Sequence, residues 1–289
     1  MRFVAFSING TDGLAIENDA GLQGLKAGEA GYPGSLDDLV RAGDDAFAKA
    51  AAVLGTAPAI DPASISYMPP FRRSAKIYCI GLNYHDHRNE TGNAATQMEY
   101  PMIFARFASN LIGHDAPIIV PHVSERLDYE AELVVVIGKP GRYIAKADAL
   151  DHVAGYSVFN DGTIRDYQRK TPQWTIGKNF DDTGSIGPAF VTADAVPAGG
   201  KGLKIESRLN GETMQSANTD DLIFDVATLI ALISESATLE PGDLIVTGTP
   251  GGVGAARIPP VFMKAGDVCE IEVEGIGLLR NPIAAEKAG

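Results

Sequence analysis

The chain has 289 residues, 45% of them hydrophobic, and its 24 Lys+Arg against 37 Asp+Glu give a net charge of −13. This acidity argues against nonspecific nucleic-acid binding and against attachment to an anionic membrane, because both need a basic surface. No apolar run of about 18 residues is present, which argues against a transmembrane helix. The length suits one large domain, or one domain with a small appendage, and the acidity favours a cation as a partner.

The predicted elements begin with a strand over residues 2–8. Apolar residues at helical spacing follow over 36–54, and the serine just before them is a helix cap. Residues 55–74 hold four prolines, which is the composition of a linker. We therefore predict a small N-terminal domain over residues 1–70 and a second domain over 71–289.

From residue 75 onward, short β-rich runs are separated by turn residues. The predicted strands cover residues 76–80, 131–137, 155–160, 203–209, 244–247, 268–274 and 276–281. One clear helix is predicted over 221–236, capped by Asp220 or Asp221, and a short helix over 148–152. Because strands and helices do not alternate regularly, a doubly wound sheet is disfavoured. We predict a mainly β (α+β) fold, a mixed β-sandwich or roll with a few helices.

The two cysteines, Cys79 and Cys269, form no Cys-x-x-Cys pair. This argues against a disulfide framework or a structural zinc site and favours two free, buried thiols. Residues 1–10 carry one basic residue and a short apolar run, which is a poor signal peptide. We therefore expect a reducing, cytoplasmic location.

Three carboxylates stand at the ends of two predicted strands. Glu130 and Glu132 are two residues apart, so in a strand they point to one face and repel each other unless a cation joins them. Asp161 follows the next strand, and three carboxylates suit Mg²⁺ or Mn²⁺. A solvated strand end and an ordinary turn explain the same residues. Local spacing does not show that Asp161 meets the glutamates.

Other polar residues fit either a catalytic or an ordinary surface role. His87 and Glu90 are adjacent on a helical turn and would form a general base able to activate water. A polar loop, or a metal pair of His85 with His87, fits them too. Lys178 lies between apolar residues and is either an oxyanion-stabilising group in a cleft or a surface lysine. The loop over 247–254 exposes N–H groups for a carboxylate or phosphate but lacks the P-loop lysine.

Taken in chain order, these motifs resemble the fumarylacetoacetate hydrolase superfamily over residues 77–282. The matching motifs are Gly81-Leu-Asn-Tyr-x-x-His87-x-x-Glu90, Tyr129-Glu-x-Glu132-Leu, Asn160-Asp161, Arg165-Asp-x-Gln168, Gly177-Lys178-x-Phe180-Asp and Thr247-Gly-Thr-Pro-x-Gly-Val-Gly254. The resemblance implies a mixed β-sandwich roll after a small variable N-terminal domain, and usually a homodimer.

The resemblance also implies roles for individual residues. It implies that Mg²⁺ or Mn²⁺ is bound by Glu130, Glu132 and Asp161. It assigns catalysis to His87, Glu90 and Lys178. It assigns substrate contacts to Tyr84, Arg165, Gln168 and Thr249. It gives His85 no role and implies a lid over residues 85–101. We expect specificity for the side chain of the substrate to depend on residues 93–101 and on Phe104, Arg106 and Trp174.

The activity implied by the resemblance is metal-dependent hydrolysis of a C–C bond in a 2,4-dioxo acid. An acylpyruvate-like compound would give pyruvate and a carboxylic acid. The same metal–enolate chemistry supports an oxaloacetate-type decarboxylase, or a 2-oxo-acid hydratase or isomerase, as alternatives. The expected partners are a small 2-oxo or 2,4-dioxo acid and a second copy of the chain, with neither nucleic acid nor membrane. A non-catalytic binding protein is disfavoured because every expected catalytic position is filled.

Overall fold

A computed structural model describes residues 1–92 and 99–287 of the chain. Strands dominate these ranges. In chain order they are β1 (Arg2–Ile8), β2 (Thr11–Asn18), β3 (Gly21–Lys26), β4 (Ala59–Ile60), β5 (Ser66–Tyr67), β6 (Ile77–Gly81), β7 (Met102–Ala105), β8 (Leu111–Ile112), β9 (Ile118–Val120), β10 (Leu127–Asp128), β11 (Ala131–Ile137), β12 (Val153–Asp161), β13 (Thr163–Ile164), β14 (Gly184–Thr192), β15 (Lys204–Leu209), β16 (Glu212–Asn218), β17 (Leu244–Val246), β18 (Val268–Val273) and β19 (Gly277–Ala285).

Short helices connect these strands. The α-helices are α1 (Leu36–Ala42), α2 (Asp44–Leu54), α3 (His85–Glu90), α4 (Arg165–Gln168), α5 (Thr175–Lys178) and α6 (Val226–Ser236). The 3₁₀ helices are Pro62–Ser64, Ala108–Asn110, Lys146–His152, Ala193–Ala195, Ala198–Gly200, Thr219–Asp221 and Gly254–Ala256. No helix within the two described ranges is long and apolar enough to cross a membrane.

The strands form one large sheet, a five-stranded sheet and a separate pair. The large sheet has the order β4-β3-β2-β1-β14-β12-β11-β17-β6-β7, with β5 beside β1 and β8 beside β14. The five-stranded sheet has the order β16-β15-β18-β19-β9, and β10 pairs with β13. Most pairs are antiparallel, whereas β17–β6, β14–β8 and β19–β9 are parallel. The prediction of a mainly β, α+β fold with a few helices is confirmed.

Strand β11 supports the centre of the molecule, and both of its faces are buried. Leu133 and Val135 pack in the core that contains residues of the five-stranded sheet and of α6. Val134 and Val136 pack in a second core with residues of α1 and α2. Successive strand side chains point to opposite faces, so one apolar run contributes to two cores. Burial of each such side chain contributes about 1.5–3 kcal/mol to the stability of the fold. The position of β11, and of the polar residues at its start, is therefore well fixed.

The N-terminal region joins the large sheet through β1. β1 pairs with β14, with Phe3 opposite Phe190. The ring of Phe47 on α2 lies 5.7 Å from the Phe3 ring and 5.1 Å from the Phe190 ring. Aromatic contacts of this kind add to ordinary apolar burial. The division of the chain into residues 1–70 and 71–289 stays a prediction about folding units, since one sheet contains strands from both.

Two predicted helices begin or break differently in the structure. The single helix over 36–54 is two helices, because Gly43 between α1 and α2 has a φ of 93° that a helix does not allow. The predicted serine cap is present, since Ser35 forms a capping box with Asp38. The helix predicted from residue 221 begins at Val226 and is capped by Asp225. Just before this helix, the N–H and C=O of Phe224 both form hydrogen bonds with the side chain of Asn83.

The sequence reasoning missed the central strand β14, which is buried along most of its length. It contains Pro188, and a proline normally argues against a central strand because it has no N–H for the ladder. Cys79 and Cys269 are free and buried, as predicted.

Candidate active site

A cavity of about 430 Å³ lies beside the first residues of β11. Its walls come from β6, β7 and β11, from the short helices α3, α4 and α5, and from the loop after β17. The predicted site residues that line it are His87, Glu90, Glu130, Glu132, Arg165, Gln168, Lys178 and Thr249. Segments far apart in the sequence therefore meet in one concave, partly polar space of the kind that binds small molecules.

The register of β11 and β12 brings Asp161 to the two glutamates. Ala131 pairs with Asn160. The N–H of Asp161 donates to the carbonyl of Glu130 at 3.0 Å, and the N–H of Glu130 donates to Asn160 Oδ1 at 3.0 Å. Carboxylate oxygens of Glu130, Glu132 and Asp161 lie within 4.8 Å of one another, and all three residues are buried. Antiparallel pairing thus supplies the proximity that local spacing could not show.

Cationic side chains surround this acidic centre, by which we mean Glu130, Glu132 and Asp161. Lys178 Nζ donates to Glu130 Oε2 at 2.6 Å and to Asp161 Oδ2 at 2.7 Å. Arg165 Nη2 lies 2.7 Å from Glu130 Oε1, and Arg106 Nη1 donates to Asp161 Oδ1 at 2.5 Å. Charged groups buried away from water are tolerated only when they are paired and hydrogen-bonded. Lys178 is therefore a group of the site and not a surface lysine.

Burial and the neighbouring charges shift the pKa values of Glu130 and Glu132 in opposite directions. Burial disfavours the ionised form of Glu130, but Lys178 and Arg165 outweigh it and lower the pKa to about 2. Burial, together with the charges of Asp161 and Glu130, raises the pKa of Glu132 well above its usual range. Burial acts against the charge of Lys178 as well, yet Asp161 and Glu130 raise its pKa. Glu132 is thus the carboxylate whose negative charge is least balanced by the protein.

The acidic centre fits a divalent cation. It offers three clustered carboxylates, which are the hard oxygen ligands that such ions prefer. Among the described residues, the N–H of Gly248 donates to Glu132 Oε2 at 2.5 Å, and the charge of Lys178 acts on the same carboxylate without a direct hydrogen bond. A bound cation supplies the missing positive charge, so the residues present are consistent with a metal site.

His87 and Glu90 form a hydrogen-bonded pair on α3. His87 Nδ1 lies 2.7 Å from Glu90 Oε1, and the other Glu90 oxygen accepts the N–H of Gly252 at 2.8 Å. His87 is 6% exposed. A carboxylate that orients an imidazole in a cavity is a usable acid–base pair. The structure places this pair in the same cavity as the acidic centre.

A buried aspartate that the sequence reasoning missed links Arg165 to the loop after β17. Asp128 is fully buried and accepts the N–H groups of Tyr129, Gly254 and Ala255 at 2.8–2.9 Å. Its Oδ2 also accepts Arg165 Nε at 2.7 Å. Asp128 directly precedes the Tyr-Glu-x-Glu motif, and that adjacency was the available signal. It acts as a positioning residue for the arginine.

Gln215 is a second missed residue. Its Nε2 donates to Thr249 Oγ1 and to the carbonyl of Pro250, both at 2.8 Å, while its Oε1 accepts the N–H of Ala131 at 3.0 Å. The residue sits on β16, a strand that the pattern did not predict. It positions the threonine that lines the cavity.

Not every residue named from the sequence reaches the cavity. Tyr84 is 1% exposed and does not line it, and its hydroxyl has no hydrogen-bond partner among the described residues, so its substrate contact stays a prediction. Arg106, expected to influence specificity, is instead buried behind Asp161, because that carboxylate pairs with it. Phe104 and Trp174 do line the cavity. Of the predicted lid, residues 93–98 lie outside the described ranges.

Comparisons with known proteins identify the family of this chain. The family model described as fumarylacetoacetate (FAA) hydrolase C-terminal matches residues 76–284. The bovine protein named oxaloacetate tautomerase FAHD2A, mitochondrial, is 42% identical over 274 residues, covering 94% of this chain and 86% of its own length. Oxaloacetate tautomerase YisK of Bacillus subtilis is 41% identical over 263 residues, covering 87% of each chain.

A solved structure is similar along nearly the whole chain. The fumarylacetoacetate hydrolase of Exiguobacterium antarcticum superposes with a TM-score of 0.84 at 34% identity, covering 99% of this chain and 100% of that one. The predicted cytoplasmic location is contradicted by the comparisons, since the bovine relative is named as mitochondrial. Free thiols distinguish a reducing compartment from an oxidising one, and they do not separate one reducing compartment from another.

Proposed function

This chain belongs to the fumarylacetoacetate hydrolase family, and from that premise we propose that it is a divalent-metal-dependent oxaloacetate tautomerase. The observation that carries the proposal is the presence of an acid–base pair, His87 and Glu90, in the cavity beside three clustered carboxylates. Tautomerisation needs a base near an acidified C–H bond and a means of stabilising charge on the adjacent oxygen. Relatives about 40% identical carry this activity in their names.

The proposed cofactor is Mg²⁺ or Mn²⁺, held by Glu130, Glu132 and Asp161. A bound divalent ion supplies a Lewis acid that polarises the 2-carbonyl of a 2-oxo acid and makes the protons at C3 more acidic. Arg165, Gln168 and Thr249 would orient the carboxylate at the same end of the substrate. Hydrogen bonds from Arg165 Nη1 to Gln168, at 3.1 Å, and from Gln215 to Thr249 fix two of these side chains in advance.

The His87–Glu90 pair would move the proton. The pair takes a proton from C3 of the keto form, the C2–C3 bond becomes double, and a proton is added to the oxygen at C2. The reverse sequence returns the keto form. Glu90 holds the imidazole through Nδ1, which leaves Nε2 as the atom that exchanges the proton. The buried Lys178 ammonium would stabilise the negative charge that develops on the oxygen at C2.

A second candidate is hydrolysis of the C–C bond of a 2,4-dioxo acid. The same base pair, with Glu90 21% exposed at the cavity, is suited to deprotonating a water molecule. That water would attack the carbonyl at C4, and the C3–C4 bond would break to give an enolate and a carboxylic acid. The solved hydrolase from Exiguobacterium antarcticum, similar in fold, favours keeping this reaction in the test.

One set of assays separates the candidates. Purified protein with Mg²⁺ or Mn²⁺, with and without EDTA, is given freshly dissolved oxaloacetate, and the ultraviolet absorbance of the enol is followed. Metal-dependent acceleration of keto–enol exchange, without pyruvate formation, is the expected result. Release of pyruvate from oxaloacetate indicates a decarboxylase, and release of pyruvate plus acetate from acetylpyruvate indicates the hydrolase. Either outcome without tautomerisation overturns the first proposal.

We also propose that the protein is a homodimer. β7 is an edge strand of the large sheet, and exposed apolar side chains lie on and near it. They are Tyr100, Met102, Ile103, Phe107 and Ile176. Exposed apolar residues grouped on an unpaired edge are typical of an interface. Light scattering after size-exclusion chromatography should give twice the mass of one chain, and Ile103→Asp should shift the protein toward monomer, whereas a monomeric wild-type protein contradicts the proposal.

A further inference from the structure

One charged residue of the cavity has no partner within the described part of the chain. His87 and Glu90 form a hydrogen bond with each other. Glu130 forms ion pairs with Lys178 and Arg165, and Lys178 also pairs with Asp161. Arg169 also lines the cavity, but its exposed side chain makes no ion pair and no hydrogen bond with any described residue. Its guanidinium is therefore available to a ligand.

The position of Arg169 relative to the acidic centre follows from helix geometry. The N–H of Arg169 donates to the carbonyl of Arg165 at 3.2 Å, so the two residues are one helical turn apart. Residues at this spacing lie on one face with about 5–6 Å between their Cβ atoms. Arg165 reaches inward to Glu130. Arg169 thus presents positive charge to the same cavity, about one turn farther from the acidic centre.

We propose that Arg169 binds the second carboxylate of a dicarboxylic 2-oxo acid, a proposal that rests on the function proposed above. If the carboxylate and carbonyl at C1 and C2 face the acidic centre, the far end of a four-carbon substrate extends toward this guanidinium. A planar guanidinium recognises a carboxylate through two parallel hydrogen bonds. The substrate class is then a dicarboxylate, and a monocarboxylate would leave this charge unused.

Among the described residues, much of the remaining wall of the cavity is apolar. Phe104 and Trp174 are in edge-to-face contact with ring centroids 5.6 Å apart, and Val253 and Ala256 add further apolar surface. Burying a carboxylate against such groups without a partner is unfavourable. Arg169 is the cationic side chain beside this apolar surface, as the proposal requires.

The test uses two ligands that differ in a single group. Oxaloacetate and 2-oxobutyrate share the 2-oxo acid end, and the second carboxylate of the first is a methyl group in the other. Trp174 is the only tryptophan of the chain and lines the cavity, so its fluorescence reports binding of either ligand to the Mg²⁺-loaded protein independently of the activity assay. The KM for oxaloacetate is measured in parallel.

The informative variant is Arg169→Gln, and Lys170→Gln is its matched control. The control removes the same charge from the next residue, whose ammonium lies over the ring of Tyr167 and which does not line the cavity. We expect R169Q to raise the KM and the dissociation constant for oxaloacetate about tenfold, the loss typical of one charged hydrogen-bonded contact. Binding of 2-oxobutyrate should change less than twofold, K170Q should change neither ligand, and R169K should recover part of the affinity.

Two results overturn the role of Arg169. One is an oxaloacetate affinity of R169Q within twofold of wild type, and the other is an equal loss of affinity for both ligands. Failure of the proposed function looks different, because wild-type protein would then bind oxaloacetate without accelerating its tautomerisation. In that case the fluorescence titrations still decide whether Arg169 binds the second carboxylate.

Discussion

The acidic centre and the His87–Glu90 pair share one cavity but are held in different ways. The carboxylates stand at the ends of β11 and β12, in the middle of a large sheet, and their oxygens contact Lys178 and two arginines. The pair stands on a helix of six residues, and the contact from Glu90 to the rest of the protein is the N–H of Gly252. The carboxylates therefore have several charged partners. Among the described residues, the side chains of the pair accept one hydrogen bond from outside α3, from the N–H of Gly252.

The two groups of residues differ in what their proposed functions require. A metal site has to be preorganised, because its ligands must stay together against their mutual repulsion. A proton-transferring pair needs only its own internal geometry and access to the substrate. Substitutions in the acidic centre should therefore change both metal affinity and stability, whereas substitutions in the pair should change turnover alone.

The largest effect is expected for Glu132→Gln. Loss of one of three carboxylate ligands should abolish metal-dependent activity, by at least about 10⁴-fold, and should remove the rise in melting temperature that metal gives the wild type. Titration calorimetry with Mn²⁺ and thermal unfolding with and without metal measure this, and Glu212→Gln on the exposed part of β16 is the control. A variant that binds Mn²⁺ with wild-type affinity contradicts the assignment.

The same substitution should stabilise the metal-free protein. The pKa of Glu132 is raised by burial and by neighbouring carboxylates, so its folded pKa lies above the unfolded value of 4.5. Its contribution to stability is present below pH 4.5 and is lost as the pH rises through the folded pKa. At pH 7 the neutral glutamine should therefore raise the free energy of unfolding by about 1 kcal/mol. A less stable metal-free variant would argue against an unbalanced charge.

Glu90→Gln tests the other side of the comparison. It should lower kcat about 10²- to 10⁴-fold, because the imidazole loses the carboxylate that orients and balances it. The affinity for Mn²⁺ and the melting temperature should stay at the wild-type values, since the acidic centre is untouched. Turnover near that of the wild type would remove Glu90 from the mechanism, and a large fall in metal affinity would show that the two groups are not independent.

Asp128→Asn should act mainly on stability. An amide cannot accept from three N–H groups and from Arg165 as the carboxylate does, so one donor of this buried cluster is left unpaired. We expect the free energy of unfolding to fall by about 3 kcal/mol in urea titrations at fixed metal concentration. Asp115→Asn, in an exposed pair with Arg280, is the control and should cost less than about 1 kcal/mol.

The smallest effect is expected for Asp38→Asn, far from the cavity. A hydrogen bond from Ser35 is the main cause of a pKa of about 2 for Asp38, with Arg73 contributing. Because the folded pKa lies below the unfolded value of 3.8, its stabilisation is present above pH 3.8 and is lost as the pH falls toward 2. The side chain is 54% exposed, so screening keeps the effect below about 1 kcal/mol at pH 7. Urea titrations at pH 7 and pH 2 should show a smaller difference between variant and wild type at the lower pH.

Local patterns in the sequence determined several features correctly. The strand predicted over 131–137 has the same bounds as β11, because the apolar run 133–137 is typical of a strand buried on both faces. Ser35 was recognisable as a cap because its partner Asp38 is three residues away. His87 and Glu90 were recognisable as a pair for the same reason, since both lie on one turn of α3. In each case the interacting groups are close in the chain.

Tertiary structure alone decided what depends on distant segments. The β11–β12 register brought Asp161 to Glu130, and the fold placed Lys178 between them. It buried Tyr84 away from the cavity, although its motif matched the family. It also left Arg169 unpaired among the described residues, while Arg165, one turn earlier, is paired. Sequence determines which chemical groups are available, and the long-range pairing of strands determines which of them share a dry space, where charges act strongly on one another.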